Sequence, residues 1–127
     1  MLIGTYELQL SSSGDLLLPD KLVAGLSSAG RENLVCFVPL TPLRCYELEK
    51  VRSIVKALRD LGDDRSLEWI HLMVREGVVR LSSVGWLPIP ETFRRISGFR
   101  PGMMITVMGC GGYIELRRSD SDSSPAG

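Results

Sequence analysis

The chain contains two copies of one short unit, and this constrains its fold more than any other feature. Leu10 to Pro19, LSSSGDLLLP, and Leu81 to Pro90, LSSVGWLPIP, share six of ten residues at a constant offset of 71 positions. Leu10, Ser11, Ser12, Gly14, Leu16 and Pro19 recur as Leu81, Ser82, Ser83, Gly85, Leu87 and Pro90, and Leu18 is matched in kind by Ile89. Such self-similarity marks one supersecondary unit used twice, each copy too small to bury its apolar face alone. With 127 residues in all, there is room for one core or for two very small intertwined units, but not for two independent domains of ordinary size.

Each copy reads as strand, tight turn, short strand and helix. Serines followed by glycine punctuate a turn, and a proline suits the first helical turn of PDKLVAGL and of PETFRRISGF. Asp20 and Glu91 put a negative charge where the helix dipole favours it. A β-rich stretch follows in both copies, NLVCFVPL and MMITVMGCGGYIEL, the second broken by Gly109, Gly111 and Gly112 as a hairpin turn would be. The units Leu2 to Glu47 and Val78 to Leu116 are therefore expected to be similar β-β-α-β-β halves related by an approximate two-fold.

A different pattern separates them. Val51, Ile54, Val55 and Leu58 follow i, i+3, i+4, i+7 spacing, and a second helix carries Leu67, Ile70 and Val74 with Trp69 and Met73. LGDDRS between them holds a glycine stop and an aspartate or serine start, which predicts an αα-hairpin. The expected organisation is α+β: residues 1–47 as the first half, 48–77 as the helical hairpin, 78–117 as the second half, and 118–127 as a disordered tail.

Fifteen basic and fifteen acidic residues cancel, so no general basic field pulls the chain onto nucleic acid or an anionic membrane. Any DNA binding must be local or pooled by oligomerisation. No apolar run approaches the roughly 18 residues of a spanning helix, and MLIGTYELQL lacks the basic start and apolar block of a secretory signal. A cytoplasmic protein that does not enter the membrane is expected. Cys36, Cys45 and Cys110 form no C-x-x-C pair and read as reduced structural residues, with no zinc site. His71 is the only histidine; on the edge of a helical stripe, it reads as a packed or capped side chain rather than a ligand or base. The glycine cluster lacks the G-K-[ST] ending of a phosphate loop, and no G-x-S-x-G, H-E-x-x-H or carboxylate-pair arrangement occurs. Neither enzyme activity nor a cofactor is expected.

Gly4, the turn SSSGDLLLP, a β pair ending in LRCYELE, two helices, the turn SSVGWLPIP and a final GGYIEL follow one another in an order that resembles the MraZ family over roughly residues 3 to 117. MraZ proteins belong to the AbrB-like swapped-hairpin regulators. The resemblance implies two pseudo-symmetric AbrB-like swapped-hairpin halves forming a double-psi-like small β-barrel with a helical hairpin beside them. It also implies ring-shaped homo-oligomers, binding to short direct DNA repeats, regulation of the division and cell-wall gene cluster, and a place at the nucleoid.

In that family each half carries a turn of the form D-x-x-G-R. Here the aspartate, frequent lysine and arginine positions of the first turn hold Ser11, Ser13 and Asp15, and the aspartate and arginine positions of the second hold Ser82 and Trp86. The resemblance makes these five the DNA-facing positions and Gly14, Pro19, Gly85 and Pro90 the residues that keep the turns. IELRRSD stands where the family ends in a strand of the form E-[IL]-W-D. Arginine serves DNA because its fork pairs with guanine or clamps phosphate, whereas aspartate repels phosphate. An aspartate beside glycine also stabilises a tight turn, and a tryptophan after a turn covers a core edge or an interface as readily as it stacks on a base. Lys21, Arg80, Arg94 and Arg95 near the turns are candidate phosphate contacts, or else solvated charges. Two functions follow: a regulator of weak or altered DNA specificity, or an interaction protein that keeps the oligomer and mixes with an intact paralogue. A positive rim around the turns favours the first, and a negative or apolar one the second.

Overall fold

The computed structural model describes residues 2–27 and 33–119. β1 (Leu2–Gln9) leads through the first serine turn into β2 (Asp15–Leu17), α1 (Asp20–Ser27), β3 (Leu34–Val38) and β4 (Leu43–Glu47). A 3-10 turn, Leu48–Lys50, opens the middle segment of α2 (Val51–Leu61) and α3 (Asp64–Leu72), and α3 runs into a π turn at Met73–Gly77. The second copy supplies β5 (Val78–Arg80), β6 (Trp86–Pro88), α4 (Glu91–Ser97), β7 (Met104–Gly111) and β8 (Tyr113–Arg118). Among the described residues the fold is α+β, with four α-helices, a six-stranded sheet in the order β1-β7-β8-β4-β3-β5 and a two-stranded ribbon of β2 and β6. All the pairings are antiparallel.

Neither copy keeps its own first strand. β1 pairs with β7 of the second copy, Gln9 opposite Met104, and β5 pairs with β3 of the first, Arg80 opposite Leu34. In the ribbon Leu16 lies opposite Leu87, its own repeat equivalent, so a local two-fold passes through that pair. Leu18 N–H donates to the Gly85 carbonyl at 2.8 Å and Ile89 N–H to the Gly14 carbonyl at 3.1 Å, two further bonds that the same axis exchanges. The helices obey it as well: the Pro19 carbonyl accepts from Val23 N–H at 3.1 Å and the Pro90 carbonyl from Arg94 N–H at 3.0 Å. Pro90 caps α4 from just outside the helix, with φ −58° and ψ 147°, rather than lying in its first turn.

Strand periodicity decides what is buried. Along β1, Leu2 faces the core and Tyr6 and Leu8 lean toward it, while Ile3, Thr5, Glu7 and Gln9 face solvent, the period-two alternation of a sheet with one dry side. The main core joins both copies through Leu16, Leu87, Phe37 and Phe93, the two rings 5.7 Å apart. Burying each such side chain stabilises the fold by about 1.5–3 kcal/mol.

The helical hairpin covers only the outer face of β3 and β4. Cys36, Val38, Val51 and Met73 form a second cluster there, flanked by Tyr46, Ile54, Val55 and Leu58. Gly62 ends α2 at φ 68°, and Asp63 opens α3 by accepting from Ser66 N–H at 2.7 Å. The buried line of α3 is Ser66, Ile70 and Met73, whereas Leu67 and Val74, expected in the apolar stripe, are 40% and 69% exposed. The wide π turn at Met73–Gly77 shifts the helical phase, and Val74 faces outward. His71, expected to be packed or capped, is exposed on that outward side.

The hairpin has no counterpart on the second copy, and the registers show why. Cys36 lies opposite Tyr46, and the equivalent pair on β7 and β8 is Thr106 opposite Arg117. Thr106 donates to Glu7 at 3.1 Å and Arg117 pairs with Glu115 at 3.1 Å, so this face needs no apolar cover.

Two further expectations are corrected. Gly109 lies not in a turn but within β7 opposite Gly4, where a Cβ would come within 2.6 Å of the Ile3 nitrogen; Gly111, at φ 88°, and Gly112 make the turn. β8 also reaches Arg118, and Ser119 is buried with its hydroxyl on Glu7 and its N–H on the Met104 carbonyl at 3.0 Å, so ordered structure extends past residue 117. Residues 120–127 of the expected tail lie outside the described residues. Among the described residues no helix is long and apolar enough to cross a membrane. Cys36 and Cys45 are buried free thiols and Cys110 is partly exposed.

Candidate nucleic-acid interface

The two serine turns repeat each other bond for bond. In the first, Ser11 N–H donates to the Asp15 carbonyl at 2.9 Å, Gly14 N–H to the Ser11 carbonyl at 3.0 Å, and Asp15 N–H to Ser11 Oγ at 3.0 Å. In the second, Ser82 N–H reaches the Trp86 carbonyl at 3.0 Å, Gly85 N–H the Ser82 carbonyl at 3.1 Å, and Trp86 N–H Ser82 Oγ at 2.9 Å. Gly14 and Gly85 carry φ of 86° and 107°, the left-handed side that glycine reaches without a Cβ penalty. A side-chain oxygen that caps a backbone N–H four residues on does work that an aspartate there also does, so Ser11 and Ser82 keep the turn while discarding the charge.

Charge is absent from both turns except for Asp15. Its carboxylate accepts from Ser13 Oγ at 3.4 Å, and Ser13 Oγ lies 3.2 Å from Ser11 Oγ, so the three side chains bond chiefly to one another. Trp86 stands opposite Leu17 in the ribbon, and with Val84 these side chains are 40%, 46% and 66% exposed. Trp86 also walls a cleft of about 530 Å³ beside Ser11, Ser12 and Pro101. The turn rim is therefore aromatic and aliphatic where the resemblance leads one to expect cations.

The nearest cation comes from a helix. A Cβ on Gly14 would lie 2.6 Å from Cζ of Arg94, whose Nε is held by the Ile89 carbonyl at 2.8 Å. Its repeat equivalent is Val23, which sits in the same way over Gly85, with Cγ2 3.1 Å from the would-be Cβ. One turn is thus flanked by a guanidinium and the other by a methyl group. Arg95 meets Glu91 at 3.4 Å with both side chains more than 70% exposed, an ion pair worth little. Lys21 and Arg80 are exposed on α1 and β5 and do not line the cleft that holds Arg94 and Arg95. Arg100 and Arg118 do line it. Sequence reasoning missed both because they lie 18 positions apart, Arg100 in the loop after α4 and Arg118 at the end of β8, and only the passage of β8 beside the end of α4 brings them together.

Nothing in the described residues suggests metal chemistry: no group of three or more His, Cys, Asp or Glu converges. Burial pushes the Cys36 thiol up to about 11 and raises Cys45 well above its ordinary value, which makes neither a ready nucleophile. No protein-family model matches the chain, and no curated protein matches it in sequence.

Proposed function

We propose that this chain is a DNA-binding transcriptional regulator similar to MraZ, of weakened or altered DNA specificity. The observation that carries the reading is the pair of glycine turns, equal to within 0.1 Å in all three of their bonds, set about one two-fold by the exchange of β1 and β5 between copies. That arrangement is what a double swapped-hairpin unit needs. The six-stranded sheet is open, with β1 and β5 at its edges and the ribbon of β2 and β6 a separate sheet, so its pairings do not close the double-psi-like barrel that the resemblance implies; in this reading the two turns still lie on a DNA-facing rim. Phosphate contact passes to Arg94, which lies over Gly14 of the first turn, and to its neighbour Arg95 on α4, because neither turn holds an arginine. Leu61, Leu67, Val74 and Val78, exposed along the hairpin and into β5, offer apolar surface for the homo-oligomeric ring. The protein would act in the cytoplasm, at the nucleoid, on the division and cell-wall gene cluster. An electrophoretic shift with DNA from the protein's own upstream region is expected at low salt, and its absence would refute the reading.

One observation favours a second reading. Leu17, Val84 and Trp86 make the rim apolar, which suits a protein partner better than phosphate. On this reading the chain keeps the oligomer, joins rings with an intact paralogue and does not bind DNA by itself.

A further inference from the structure

We propose that the cleft between α4 and the end of β8 is a phosphate-binding site in which Arg94, Arg95, Arg100 and Arg118 receive one phosphate group or two linked ones. The cleft holds about 550 Å³ and is lined by these four arginines together with Glu91, Gly98 and Phe99. Among the described residues, four guanidiniums against one carboxylate is a steep local excess in a chain whose net charge is zero. Arg100 and Arg118 make no side-chain hydrogen bond or ion pair among the described residues, and the single pair at the cleft, Arg95 with Glu91, is at the exposed edge. Like charges gathered in one cleft repel one another, so an anion that bridges them relieves a standing cost.

The local geometry prepares the site. Arg94 is tethered by its bond to the Ile89 carbonyl and its Nη1 packs against Gly14, while neither outer nitrogen of its fork is hydrogen-bonded among the described residues. Arg118 Cδ lies 3.8 Å from where a Cβ of Gly98 would stand, which places this arginine beside the end of the helix. A helix C-terminus ordinarily repels anions, but here Gly98 N–H is bonded to the Arg95 carbonyl at 3.2 Å and Phe99 N–H to the Arg94 carbonyl at 2.8 Å. Those carbonyls are already engaged. Arginine forks suit phosphate oxygens because they present paired donors in a fixed plane.

The shared chemistry is the phosphate group, and its source is either the DNA backbone or a free phosphorylated small molecule. Only the DNA source rests on the function proposed above. The test measures pyrophosphate binding by calorimetry and duplex DNA binding across a salt series, for the wild type and for the double variant Arg100→Gln, Arg118→Gln. The double variant is expected to lose pyrophosphate affinity at least tenfold and to flatten the duplex salt slope by about 2, near 0.9 for each lost phosphate contact. Glu91→Gln, which removes the one opposing carboxylate, is expected to tighten pyrophosphate binding, a gain that misfolding does not produce. A flattened slope without pyrophosphate binding identifies the backbone as the source. Pyrophosphate binding lost in the double variant, in a protein that never binds duplex, keeps the site and removes the DNA reading. If the wild type binds neither probe, or the double variant alters neither, the site is refuted.

Discussion

A Cβ added at the two turn glycines should have unequal consequences, although the turns themselves are equal. At Gly85 it would stand 2.8 Å from the Leu18 carbonyl oxygen and 3.1 Å from Val23 Cγ2. Both neighbours are anchored, because Leu18 N–H bonds back to the Gly85 carbonyl at 2.8 Å. Gly85→Ala therefore incurs about 1–2 kcal/mol for a positive φ and a further 1–3 kcal/mol for overpacking, roughly 3 kcal/mol in all. At Gly14 the obstacle is the Arg94 guanidinium, 2.6 Å from the would-be Cβ. A guanidinium can swing away, so Gly14→Ala should incur the backbone cost of about 1–2 kcal/mol and lose the bond from Arg94 to Ile89. Urea unfolding reads the difference as a midpoint on the order of 1 M lower for Gly85→Ala than for Gly14→Ala. In the background Arg94→Ala, the cost of Gly14→Ala should shrink, whereas that of Gly85→Ala should not change. Equal midpoint shifts, or no coupling between positions 14 and 94, would show that Arg94 does not pack on the first turn.

Leu16→Ala and Leu87→Ala should each destabilise by about 2–5 kcal/mol and by nearly the same amount, since the two fully buried side chains lie opposite each other on the local axis; a large inequality in unfolding free energy would refute the two-fold environment. Asp15→Arg should tighten duplex binding and steepen the salt slope by roughly 1, because the turn keeps its Ser11 cap while a repulsive carboxylate becomes a phosphate donor; unchanged affinity and slope would mean that the turn does not face DNA. Native alkylation should reach Cys110 first and spare Cys36 and Cys45 until unfolding; rapid native labelling of Cys36 would contradict the hairpin's packing over β3. Because burial raises Cys36 from 9.0 to about 11, its thiol contributes stability that is full below pH 9 and is lost as pH rises toward 11; a thermal-melt midpoint that drops less over that window in Cys36→Ser than in wild type is the expected signature.

How much of this was legible in the sequence depends on where each constraint resides. The turns were readable because Ser11, Gly14, Ser82 and Gly85 carry their own instructions: a hydroxyl that caps a nearby N–H, and a backbone without Cβ where φ is positive. The hairpin was readable for α2, whose apolar spacing follows a regular helix, but the phase of α3 was not. Ser66 is buried and Val74 exposed there, and a π turn leaves no mark in residue type. Gly109 and its neighbours look alike in sequence, yet Gly109 is required by the close approach of β1 and Gly111 by its positive φ. Partner choice for β1 was beyond periodicity altogether, since alternation says which face is dry and not which strand lies alongside. The arginine cleft failed for a related reason: Arg100 and Arg118 become neighbours only through the tertiary fold.

The symmetry is kept where backbone bonds require it and broken wherever side chains look outward. Val23 and Arg94 occupy one place in the two copies, as do Tyr46 and Arg117, and in each pair the second copy holds the arginine. The apolar members build the hairpin's seat and seal the second turn; of the basic members, Arg117 is exposed on β8 and half-buried Arg94 lies over the first turn. Since a two-fold unit with identical surfaces would present two equal edges to a ligand, these exchanges give the chain one apolar edge and one basic edge. An oligomer of such chains would then offer one arginine cleft per protomer rather than two. On the phosphate-site proposal, the salt dependence of duplex binding should therefore scale with the number of protomers touching the DNA and not with the number of turns.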